Sequence, residues 1–263
     1  MNARRAVRRL AKGAGIAFLA GTLGGAALLA AEIVAARSRT YAKPDLGLTV
    51  RGSTSDTGGA PLRLMLLGDA LALGVGVDTA EQTLGGQLTR MLTDAGANVA
   101  LSTVAVAGAR SADLATQVAR AQLGAKPDVA VILIGTNDAT HLVRPGEAAA
   151  SLATAVRRLR DGGASVVVGT CPDLGAARAL APPLRQLAGW YGRRVARAQA
   201  SAARSAGAAV VDLGGQAGPV FRADAGMLCR DGFHPSADGY RVIAHALFPE
   251  LAAAAGLPSS ITD

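Results

Sequence analysis

Leu64-Met65-Leu66-Leu67-Gly68-Asp69-Ala70-Leu71-Ala72-Leu73-Gly74-Val75-Gly76 is the stretch that decides the fold. An apolar run long enough for a buried strand ends in Gly-Asp and passes into small residues. That is how an alternating strand–helix domain delivers a side chain to the carboxyl edge of its sheet. Outward from it the same alternation repeats. Strands are expected at Leu62–Leu67, Val99–Val106, Val129–Ile134, Ser165–Thr170 and Ala208–Asp212. Helices are expected at Leu84–Ala95, from Ser111 as N-cap to about Leu123, at Glu147–Arg160, from Pro183 to about Ala206, and at Ala237–Leu251 behind Ser236. Gly214–Pro235 reads as irregular. Five strands alternating with helices imply an α/β fold, a three-layer α/β/α sandwich with a five-stranded parallel sheet covered on both faces, flavodoxin-like in plan.

Composition narrows the function classes. Half of the 263 residues are hydrophobic, enough for a substantial core. The net charge of +8 is local: residues 1–43 hold eight Arg and Lys against Glu32 alone, a net +7, which leaves +1 for the rest. With aromatic residues at 3%, a nucleic-acid partner has no support in the body of the chain. The leader has its own pattern. A basic cluster precedes Gly13–Ala31, an uncharged and mostly apolar stretch of 19 residues, close to the ~20 needed to span a bilayer. Residues 1–36 therefore read as a signal anchor or signal peptide, with Val34-Ala35-Ala36 as a small-residue cleavage site. The charge bias puts the body outside the cytoplasm, either held at the cell membrane by one N-terminal span or secreted after cleavage. Residues 37–60 read as a linker, 61–256 as the domain and 257–263 as a tail.

Cys171 and Cys229 fit a single disulfide in an exported protein, since both fall near one sheet edge; two buried free thiols are the alternative. No Cys or His stands at metal-ligand spacing from them, and neither a metal nor a cofactor is expected. Gly74-Val75-Gly76 has Thr79 where a dinucleotide fingerprint needs its third glycine, which argues against a nucleotide site.

Three later segments answer Gly68-Asp69-Ala70. They are Gly108 after Val104–Ala107, Gly135-Thr136-Asn137-Asp138 after Val131–Ile134, and Asp231-Gly232-Phe233-His234. Singly each has an ordinary reading: Asp231 and Asn137 as turn residues, His234 as a loop histidine, Gly108 as a loop glycine. In this order and at these boundaries, over residues 62–252, they resemble the blocks of the SGNH (GDSL-type) ester hydrolases.

The resemblance implies hydrolysis, or less often transfer, of an acyl group from an ester of a lipid or carbohydrate. It makes the residue after Asp69 the nucleophile and gives the oxyanion hole to the backbone of residue 70, Gly108 and the Asn137 amide. His234 becomes the general base and Asp231 its partner. His141 is a weaker binding candidate. One position departs from the pattern: Ala70 stands where the family has serine. A methyl group cannot attack a carbonyl, so little or no turnover is expected from this sequence. A membrane-tethered, non-catalytic binding protein for acylated glycans or lipids is the alternative. The alanine itself is compatible with a deliberate knock-out and with a natural loss.

Overall fold

The computed structural model describes residues 25–43, 52–53 and 60–257. Residues 25–38 are helical (α1). The body then runs β1 Gly52–Ser53, β2 Leu62–Gly68, α2 Ala70–Leu73, α3 Leu84–Asp94, β3 Val99–Thr103, α4 Leu114–Ala121, β4 Val129–Leu133 and α5 Thr136–Thr140. It continues α6 Pro145–Asp161, β5 Ser165–Gly169, α7 Leu184–Ser205, β6 Ala209–Val211, α8 Leu213–Gln216, α9 Gly218–Ala223 and α10 Ala237–Ala254. The sheet order is β1-β3-β2-β4-β5-β6. β2 to β6 are parallel, and β1 adds a short antiparallel edge beside β3.

Strand alternation builds the two covered faces. Leu64 and Leu66 of β2, with Val129, Val131 and Leu133 of β4, point to the layer of α3 and α10. Met65, Leu67, Ala130 and Ile132 point to the layer of α4 and α6. Because β2 and β4 are central, both faces are apolar and the strands read as continuous hydrophobic runs. Each fully buried leucine in these layers contributes about 1.5–3 kcal/mol relative to exposure.

The chain leaves β2 toward β3 and then crosses back to β4 on the other side of β2. The reversal opens a crevice at the carboxyl ends of β2 and β4, the usual ligand position of such sheets. Gly68 closes the strand under tight restraint. Its φ is +133° and a Cβ there would lie 1.8 Å from the Leu133 carbonyl oxygen, so no other residue fits.

Several expectations are corrected. Ser111 does not cap a helix to Leu123: it starts a short 3-10 turn behind Arg110, α4 follows from Leu114, and its hydroxyl is buried on Asp138 at 2.9 Å. Gly214–Pro235 is not wholly irregular, since it holds α9 and a 3-10 turn at Ala225–Met227. The disulfide is not formed. Cys171 is a buried free thiol facing the Gly192 side of α7, whereas Cys229 is a half-buried free thiol against Gly76. The two sulfurs have different neighbours.

Of residues 37–60, read as a linker, only 37–43, 52–53 and 60 are among the described residues. β1 lies inside 37–60, and Tyr41 and Ala42 pack on the body. No helix among the described residues is long and apolar enough to cross a membrane. Most of Gly13–Ala31, and residues 258–263 of the tail, lie outside the described residues.

Candidate active site

Residue 70 enters the crevice because Asp69 caps α2. The Asp69 carboxylate accepts from the Leu71 N–H at 3.0 Å, and the Asp69 N–H donates to Leu133 O at 3.1 Å. That turn leaves the Ala70 N–H at the first helical position, where no intrahelical acceptor exists. Gly108 sits in a turn closed by Ala109 N–H to Val106 O at 3.0 Å, with φ +81° and open space where a side chain would be. Among the described residues, neither the Ala70 nor the Gly108 N–H has a hydrogen-bond acceptor. Two backbone donors thus stand ready at the crevice.

Asn137, on α5, is held differently. Its amide donates to Ala109 O at 3.0 Å and to Asp69 Oδ2 at 3.4 Å. To donate to a ligand it must release the longer of these bonds. The His141 ring nitrogen Nδ1 lies 2.9 Å from Asn137 O at the end of the same short helix. His141 lines the crevice on its exposed side.

The acid–base pair is formed. His234 Nδ1 lies 2.7 Å from Asp231 Oδ2, while Asp231 Oδ1 accepts from the backbone N–H groups of Phe233 at 2.7 Å and His234 at 2.9 Å. Ala42 adds an N–H to Asp231 Oδ2 at 3.0 Å. Burial alone would raise the Asp231 carboxyl, but the imidazole and the three N–H groups hold it well below the ordinary range. The carboxylate is therefore ionised and fixes Nδ1–H on the ring, leaving Nε2 as the basic nitrogen. Gly76 packs beneath this loop: a Cβ there would lie 2.6 Å from Pro235 O and 3.2 Å from His234 Cβ.

Two further carboxyls brace the floor. Burial pushes Asp69 up to about 7, against the opposing Leu71 N–H and with nearby Asp138 adding to it. Asp138 is raised by burial and countered by the Ser111 hydroxyl and N–H. Gln117, also buried, spans Gly68 with both ends of its amide, at 2.7 and 2.8 Å. Nothing in sequence spacing singled out Ser111, Asp138 or Gln117 for these roles. Among the described residues no group of three His, Cys, Asp or Glu is placed to hold a metal ion. His245 is exposed on α10 and does not line the crevice.

Above these groups lies a cavity of about 740 Å³. Ala70, Gly108, Asn137 and His234 lie on its wall, so the residues expected from separate blocks meet in one place. The remaining wall is mostly apolar, including Leu180, Leu187, Phe221 and the half-exposed Trp190. Arg194 covers the Trp190 ring at 5.0 Å.

This arrangement agrees with the comparison to known proteins: residues 66–242 match the model of the GDSL-like lipase/acylhydrolase family. The chain belongs to that family. A GDSL-like esterase of Mycobacterium tuberculosis is 46% identical over 190 residues, which are 71% of this chain and 60% of that protein. The match thus spans less than two thirds of that relative's length. Among solved structures, TesA superposes with a TM-score of 0.58 at 24% identity, covering 73% of this chain and 99% of its own. A catalytic mutant of an acetylxylan esterase from Geobacillus stearothermophilus gives 0.57 at 19% identity, covering 78% and 99%. A lipase/acylhydrolase from Enterococcus faecalis gives 0.57 at 20%, covering 75% and 98%. At these identities the likeness to the solved structures is one of fold. In this GDSL-like acylhydrolase domain the Asp231–His234 contact, the Gly108 turn and Asn137 stand beside alanine at position 70.

Proposed function

We propose that this protein binds acyl esters with the acyl chain in the apolar cavity and the ester carbonyl at the Ala70 and Gly108 N–H groups, and that Ala70 leaves its turnover severely impaired. The observation that carries this reading is the joining of two unused backbone donors, the Asp231–His234 pair and a mostly apolar cavity in one crevice. At about 740 Å³ the cavity is within the usual range for small-ligand sites. Its apolar wall favours an acyl chain of several carbons over acetate, and hence an acylated lipid, or a glycan bearing such a chain, as the ester.

With serine at position 70, Oγ would attack the carbonyl while His234 Nε2 takes its proton. The oxyanion would be held by the two N–H groups and, once it turns from Asp69, by Asn137. The acyl–oxygen bond would break with His234 returning the proton to the leaving alcohol. Water, deprotonated by His234, would then release the acid. With alanine no covalent step is available, and binding remains. The basic leader supports a membrane-held, extracytoplasmic placement.

The test is a series of nitrophenyl esters from acetate to decanoate, offered to the full chain and to Ala70→Ser. Turnover by the serine form that rises with acyl length supports the reading. A preference for acetate would refute the apolar acyl site. Equal turnover by both chains would place the nucleophile elsewhere.

A further inference from the structure

The contacts that complete the site come from outside the family domain. α1 presents Leu29, Glu32, Ile33 and Ala36 at helical spacing, one face of the helix. Leu29, Ile33 and Ala36 lie on the wall of the cavity, opposite side chains of the α/β body. The helix is anchored there: the Glu32 carboxylate accepts from the N–H of Leu184 at 2.9 Å, the first residue of α7, where an unpaired donor and the helix dipole both favour an anion. Past α1 the chain turns along the acid–base loop. Tyr41 sets its ring edge-on to Phe233 at 5.4 Å and to His234 at 6.4 Å. The next residue, Ala42, gives its N–H to Asp231.

We infer that the inner face of α1 (Leu29, Ile33 and Ala36), with Tyr41 and Ala42, is a functional part of the active site. The α1 face forms the outer wall of the acyl-binding cavity and so governs which chains fit. Tyr41 and Ala42 act as positioning residues that hold Asp231 and the His234 ring. The inference rests on the acyl-ester reading for the first role and is independent of it for the second. It explains why an N-terminal segment rich in glycine and alanine carries Glu32 and Tyr41 at the points where it touches the body. It also assigns α1 two unlike faces, since Val34 is 67% exposed while Ile33 is turned to the cavity.

The experiment uses the full chain in the Ala70→Ser form, with Ile33→Asp, Val34→Asp, Ala42→Pro and Ala42→Gly as single additions. A charge at the cavity wall should raise KM for nitrophenyl octanoate about tenfold with kcat held, whereas Val34→Asp on the outer face should leave both unchanged. Ala42→Pro removes the donor to a charged group and should lower kcat about tenfold or more. Ala42→Gly keeps the N–H and should preserve kcat. Equal behaviour of the two helix variants would overturn the wall. Equal behaviour of the two Ala42 variants would overturn the positioning role.

Hydrogen exchange on the unaltered chain gives a readout that needs no turnover. The Ala42 amide should be protected, and Asp231→Ala should abolish the protection. An unprotected Ala42 amide would overturn the inference even if the enzyme is active. A protected amide in a chain whose serine form hydrolyses no ester would keep the positioning contact and refute the acyl-ester reading instead.

Discussion

Restoring one oxygen atom at position 70 should change this protein more than any other single substitution. Ala70 is partly exposed, lies at the first position of α2 and lines the cavity that also holds His234. A serine hydroxyl there displaces no buried group, so stability should stay within about 0.5 kcal/mol. Turnover should respond on another scale. Loss of the nucleophile from such a triad removes on the order of 10⁶ in kcat, about 8 kcal/mol at 1.36 kcal/mol per decade. What survives the loss is the contribution of the oxyanion donors and binding, roughly 10³–10⁴ over water. Here two donors are unengaged and the Asn137 amide is bonded to Ala109 and Asp69, which places the surviving part toward the lower figure. The assay is release of nitrophenol from the butyrate ester by the full chain, its Ala70→Ser form, and the latter with His234→Ala. The serine form should gain at least 10⁴, and His234→Ala should return it close to the starting rate. His234→Ala in the alanine chain should do little, because the members of a triad act as a unit. A gain below a hundredfold in a folded Ala70→Ser protein would refute the assignment of position 70. A gain that survives His234→Ala would refute His234 as the base.

Three other outcomes are expected. The Asp69 carboxyl, raised by burial to about 7, binds its proton more tightly folded than unfolded, so folding stability should fall as pH rises from about 4 to 7. Asp69→Asn should flatten that interval in thermal melts, and an unchanged slope would assign the dependence to other groups. Gly76→Ala should cost about 1–3 kcal/mol in urea unfolding, since φ is +110° and the new Cβ meets Pro235 O; in the serine form it should also lower kcat by moving His234. Gln117→Ala should cost about 2–4 kcal/mol, because it strips the buried Gly68 N–H of its acceptor and opens a void beside β2. A loss under 0.5 kcal/mol would show that water replaces the amide.

The layers were legible because their signals are local. β2 and β4 are apolar on both faces, so they stand out as runs without alternation, and Pro183 and Ser236 mark the starts of α7 and α10 as their geometry requires. The meeting of Gly108, Asn137 and His234 at residue 70 followed from strand ends sharing one edge. What stayed hidden depends on partners distant in sequence. Ser111 reads as a helix cap until Asp138, 27 residues away, takes its hydroxyl. Cys171 and Cys229 are expected at one edge, yet their sulfurs have different neighbours, Cys171 at Gly192 of α7 and Cys229 at Gly76. Tyr41 and Ala42 lie in a polar stretch that composition reads as linker, and Asp231 is 189 residues further on.

The small-residue triplet Val34-Ala35-Ala36 lies within α1, whose inner face lines the cavity. A peptidase cut after Ala36 would carry off Leu29, Glu32 and Ile33 and leave Tyr41 and Ala42 in place. The released form would keep its acid–base pair aligned but lose one wall of its cavity. By the wall role proposed for α1, such a cut would change which acyl chains fit while the contacts to Asp231 persist.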